Sequence, residues 1–137
     1  MTRLLDRVRL LTWGEIAGLS QAALLLCRVA LGLRRHNFVD LVNRLRLDQK
    51  MPPAEPILVE QEARRVRWAH RLVPLETNCL LDSIATAALV RRKGFCVPLV
   101  IGVQKDGDTL HAHAWLGTSS PQETRNFRPL LRVPRED

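Results

Sequence analysis

With 137 residues the chain has the length of a single domain, 1–137, able to bury roughly two thirds of its unfolded surface without disulfide or metal staples. Its cysteines, Cys27, Cys79 and Cys96, are odd in number and spaced for neither a disulfide framework nor a C-x-x-C zinc site, so reduced thiols and a cytoplasmic setting are expected. A formal charge of +7 raises nucleic acid, but there is no Tyr and only three Phe for base stacking, and the basic clusters fall at helix ends and faces. An acidic peptide or partner surface explains the charge equally well, and no nucleic-acid role is expected.

In chain order, MTRLLDRVRL has early charges and no small-residue cleavage site before a hydrophobic run, so no signal peptide is expected and the chain would start at or near Met1. Residues 2 to 48 read as helical, with Asp6 or Thr12 as caps and a bend near His36 and Asn37 that makes two helices. Ile16 to Leu33 is apolar almost all round, as in a helix covered by its own domain or by a partner. It is short of the roughly twenty apolar residues of a bilayer span, and membrane contact is not expected. The prolines of MPPAEP, Met51 to Pro56, exclude a helix and mark a connector after a helical region, 1–50.

Glu60 to Leu72 restarts a helix with Val59, Ala63, Val66 and Ala69 or His70 inward, Trp68 near the buried edge, and Arg64, Arg65 and Arg71 in water. Pro74 ends it, and PLETN delivers the chain to a central helix that Cys79 opens, Asn78 caps and Gly94 terminates. Leu81, Ile84, Ala85, Ala88 and Leu89 form its buried stripe. From Cys96 the period becomes two. CVPLVIGVQ reads as a nearly continuous apolar strand, Lys105 to Asp108 as a hairpin turn, and TLHAHAWLG as a second strand with His111, His113 and Trp115 on one side. The turn TSSPQ leads to a third strand, ETRNFRPLLRV, in an antiparallel meander. Helices followed by sheet make an α+β fold.

Cys79 at a helix start and His113 on a strand are the residues that carry chemistry. Unpaired N–H groups and the helix dipole favour a thiolate at the first turn, and an imidazole beside it makes a nucleophile and its base. The plain alternative for Cys79 is a packed thiol, the reading that suits Cys27 and Cys96 better. His113 reads equally well as a satisfied core histidine. Cys79, His111 and His113 could share a metal, but no clear third and fourth ligand completes the set, and neither metal nor cofactor is expected.

The stretch from Val66 to Leu116, RWAHRLVPLETNCLLDSIATAALVRRKGF, then VPLVIGVQ, then HAHAWLG, resembles the transglutaminase-like leader peptidases of lasso-peptide biosynthesis. The likeness lies in a Cys-Leu helix start, an arginine-rich helix end with Gly, a strand with Ile-Gly-Val, and Ala-His-Ala-Trp on the next strand. It implies a papain-like cysteine protease core, 57–137, with Cys79 as nucleophile and His113 as general base and acid. It also implies a third residue, usually Asp on the strand after the His, that orients the imidazole. The substrate it implies is a ribosomally made precursor peptide cut once between leader and core. A small leader-recognition protein would present the leader, and an ATP-using cyclase would close the ring on the freed amine.

Two positions depart from that family's pattern. Asp82, three residues after Cys79, stands where the family usually has a basic residue, and an acid there opposes the thiolate unless it is paired. No Asp follows His113 until Asp137. Pairing of the last two strands about TSSPQ would set His113 opposite Arg125 with Glu123 and Asn126 nearby, which makes Glu123 the expected orienting acid and Asn126 the runner-up. The backbone N–H of Cys79 would form part of an oxyanion hole, Trp115 would wall the site or pack in the core, and His111 would be a substrate-side contact. A different transglutaminase-like cysteine hydrolase and a non-catalytic peptide-binding module are the alternatives.

Overall fold

A computed structural model describes residues 13–73, 79–117 and 128–134. Its elements are α1 (Trp13–Arg35), α2 (Phe38–Arg44), α3 (Pro56–Leu72), α4 (Cys79–Arg92), β1 (Leu99–Asp106), β2 (Thr109–Leu116) and β3 (Arg128–Val133). This is the expected α+β order.

The two N-terminal helices part at His36 and Asn37, as the sequence suggests. Asn37 makes the break by accepting a hydrogen bond from the Asp40 N–H at 2.8 Å, the N-cap that starts α2. Gly32 permits the fold-back, since a Cβ there would come within 2.7 Å of Leu41 Cδ1. The suggested caps Asp6 and Thr12 lie outside the described residues.

Two expectations about α1 need correction. Its own domain covers it on one face only: Ala22, Leu25, Leu26, Val29 and Gly32 are buried, while Trp13, Leu24 and Leu31 are exposed. At 23 residues it is long and apolar enough to cross a membrane by length and composition, but its inner face belongs to the core packed on α3 and α4. The second correction is Cys27, which lies on the outer face and is exposed.

α3 begins four residues before Glu60 because Pro56, excluded from the sequence reading, occupies the first helical turn, where a missing N–H costs nothing. Its buried face holds Val59, Val66 and Ala69 and also Glu62, only 1% exposed. Arg65 reaches Glu62 at 3.6 Å, and its guanidinium lies against α1 at Gly18, where a Cβ would come within 3.0 Å.

α4 is buried along Leu81 and Ile84 through Val90, because α1 and α3 pack on it from one side and the sheet from the other. Gly94, at φ +93°, closes it in the left-handed conformation expected of a C′ residue. The connector is a pinned loop. Cys96 N–H donates to Pro52 O and Ala54 N–H to Cys96 O, each at 2.9 Å, and the Cys96 thiol donates to Met51 O at 3.0 Å. Arg91 at the end of α4 bonds Met51 Sδ and Gln49 O. Burial lowers the Arg91 guanidinium from its ordinary value, while Cys96 and Asp48 act in the opposite sense.

β1 starts at Leu99, so the Cys96 end of the apolar run serves the connector through an isolated bridge to Pro53. The sheet order is β2-β1-β3, which overturns the meander: β3 pairs with β1 and not with β2. The reason is legible in composition. A central strand needs apolar residues on both faces, and β1 buries Leu99 on one and Val100 on the other, whereas β2 alternates. Register slips between Ile101 and Gly102 where Pro129, lacking a donor, enters β3.

Candidate active site

The core described above leaves one end of α4 open. Cys79 is the first residue of the helix and its thiol is free and exposed, although most of the helix behind it is buried. Its side chain makes no hydrogen bond among the described residues. One turn on, the Ser83 hydroxyl donates to the Ala114 carbonyl at 3.5 Å, and the Thr86 hydroxyl donates back to Asp82 O at 2.8 Å. Cys79 and Ser83 are i, i+4 neighbours on one helix face, and Ala114 follows His113. The start of α4 therefore packs on β2 next to the histidine.

His113 is half-buried and its ring stacks on Trp115, with centroids 6.0 Å apart and planes 24° from parallel. Across the β1–β2 ladder it pairs with Gly102. That glycine is required: a Cβ there would lie 2.5 Å from the Trp115 ring and 2.9 Å from Arg128 O. Trp115 fills the space that Gly102 leaves and serves as the wall against which His113 rests. His111, two residues earlier opposite Gln104, is exposed. The alternation places both histidines on one side, as expected, but only His113 is seated. No hydrogen bond joins it to Cys79.

Asp82 is paired. His70 of α3 bonds Asp82 Oδ1 through Nε2, with the two side chains 11% and 26% exposed. The sequence reading gave His70 only as a possible inward residue of α3; a largely buried imidazole needs a polar partner, and Asp82 supplies it.

Glu123, Asn126 and Arg125 lie outside the described residues, as does Asn78. The pairing that set His113 opposite Arg125, with Glu123 and Asn126 nearby, was read from a β2–β3 meander, and in the described strands β3 lies across β1 from β2. Among the described residues no three His, Cys, Asp or Glu side chains converge to hold a metal, so Cys79, His111 and His113 are not gathered into a ligand set.

A free thiol at the start of a buried helix and a half-buried imidazole on the strand against which that helix packs are the groups that covalent acyl transfer would need, and no hydrogen bond between the two side chains joins them here. A family model of the transglutaminase-like superfamily matches residues 22–132, from within α1 to within β3. Comparisons with curated proteins and with solved structures gave no significant match.

Proposed function

The chain belongs to the transglutaminase-like superfamily, and from that premise we propose that it is a cysteine peptidase removing the leader from a lasso-peptide precursor. The superfamily carries a cysteine-hydrolase type of fold; the peptidase reaction and its substrate are our reading. The observation that supports it best is the exposed Cys79 thiol on an otherwise buried helix packed on the strand of His113.

In the proposed reaction the Cys79 thiolate attacks the carbonyl carbon at the leader–core junction, and the resulting oxyanion takes a hydrogen bond from the Cys79 N–H. His113 gives its proton to the departing amine, which leaves as the core N-terminus, and a thioester to the leader remains. Water, deprotonated by His113, hydrolyses the thioester and releases the leader acid. Glu123, or Asn126 as runner-up, in the segment between β2 and β3, would accept the other imidazole N–H. A leader-recognition protein would deliver the substrate and an ATP-using cyclase would consume the freed amine; no cofactor and no metal take part.

The test is incubation of the purified protein, a leader-binding partner and a candidate precursor, followed by mass spectrometry. Cleavage at one junction is expected, lost in Cys79→Ala and His113→Ala, much less affected in His111→Ala, and no worse in the double variant than in either single one. Cleavage that survives Cys79→Ala sinks the reading. Equal losses at His111 and His113 with inhibition by a chelator would make the site a metal centre, and no cleavage of any peptide would leave a binding module.

A further inference from the structure

Asp82 lies three residues after Cys79, so the two side chains share a face of α4 within one turn. A carboxylate free to turn toward the sulfur would work against everything the helix start does for a thiolate. In the structure it is engaged by His70, from the last turn of α3.

The surroundings of His70 define what this bond is. Its Nε2 meets the carboxylate, and its Nδ1 is buried with no partner among the described residues. A proton on Nδ1 would be a buried donor without an acceptor, and the geometry suits donation from Nε2–H to Asp82. An apolar side chain would fill the same place on α3 without orphaning a ring nitrogen. The imidazole is therefore held at a packing cost, and what it gains is the aim of one carboxylate. The arginines of α1 and α3 are engaged elsewhere or face water. Arg65 reaches Glu62, Arg67 pairs with Glu60, Arg71 lies over Trp68, and the α1 arginines are exposed. On β2, His113 stacks on Trp115.

We propose that His70 is a positioning residue for Cys79: by bonding Asp82 it draws the carboxylate to α3 and keeps negative charge off the sulfur. This rests on reading Cys79 as the nucleophile.

The test is the rate of iodoacetamide alkylation at each cysteine, mapped by peptide and followed against pH in the full-length chain. His70→Leu keeps the volume and frees the carboxylate. Cys79 alkylation at neutral pH should then fall about three- to tenfold, as expected for a part-screened unit charge one turn away, with the rate profile moved to higher pH. His70→Gln can still donate to Asp82 and should stay close to the native rate. His70→Leu with Asp82→Asn should recover it, because no charge remains to be aimed. A double variant as slow as His70→Leu means that the residue only packs, and overturns the proposal; so does a native rate in His70→Leu. If His70→Leu does not fold, Asp82→Asn decides alone: alkylation at least as fast as native agrees with the proposal, and slower alkylation overturns it. Native Cys79 reacting no faster than exposed Cys27 would remove the nucleophile reading itself, whereas a fast Cys79 indifferent to all these variants removes only the role of His70.

Discussion

α1 and α4 are both apolar helices, and they meet different fates. α4 is enclosed between helices and sheet, and its polar side chains outside the core gather at its two ends, Cys79, Asp82 and Ser83 in the first turns and Arg91 and Arg92 in the last. α1 covers the outside of the same core and leaves Trp13, Leu24 and Leu31 exposed. Composition does not separate them; the number of sides on which the chain supplies a neighbour does. Each helix also carries an exposed cysteine. Cys79 stands at a helix start, where backbone N–H groups lack intrahelical partners, and Cys27 stands mid-helix, where the ladder is closed. Exposure is shared, and electrostatic setting is not.

The largest expected effect breaks that symmetry. Cys79→Ala should lower leader cleavage by a factor on the order of a thousand or more, while Cys27→Ala leaves turnover within about twofold. Peptide-mapped alkylation gives the same contrast without a substrate, with Cys79 the fastest of the three thiols. Comparable rates at Cys27 and Cys79 would mean that exposure alone governs reactivity here.

Next comes a contrast in stability. Ile84 is wholly buried in α4, and Ile84→Ala should cost about 2–5 kcal/mol in denaturant unfolding. Leu24 is 65% exposed on α1, and Leu24→Ala should stay within about 0.5 kcal/mol of native. Similar losses at both would show that something covers α1 in solution.

The same contrast marks how far the sequence could be read. The start of α4 at Cys79, its end at Gly94 and the break at His36 and Asn37 were legible because caps and glycines act locally. The buried stripe was legible only as one face; Thr86, Ala87 and Val90 are buried as well, because packing from two sides is a tertiary fact. Strand order failed for a related reason: a turn suggests adjacency, but the doubly apolar β1 takes the centre and sends β3 to its far edge. Of the candidate site, the places of Cys79 at a helix start and of His113 on a strand were legible from capping pattern and strand alternation. The His70–Asp82 bond was not, since no local signal links residues twelve apart on two helices.

A smaller effect tests the wall of the site. Gly102→Ala would push a methyl into Trp115 and toward Arg128 O, and backbone cannot yield as a side-chain tip can. A loss of about 1–3 kcal/mol is expected, with cleavage falling further than stability because His113 rests on the displaced ring. Gly32→Ala on α1 meets the tip of Leu41 alone, which can rotate, and should cost less. Reversal of that order would place the tighter packing at the α1–α2 fold-back.

The smallest effect is the sharpest test of what α1 does in the isolated chain. Leu24 and Leu31 are seven residues apart and therefore lie on one helix face, 65% and 49% exposed, with Trp13 and Cys27 also exposed. If water covers that face, Leu24→Gln with Leu31→Gln removes apolar surface that lies largely in solvent, and unfolding free energy should stay within about 0.5 kcal/mol. Sedimentation should give the same mass for the variant and the native chain at every concentration. A midpoint that drops and becomes concentration-dependent only in the native protein would mean that the face is buried between molecules. α1 would then resemble α4 after all, a helix enclosed on two sides, with the second side supplied from outside the chain.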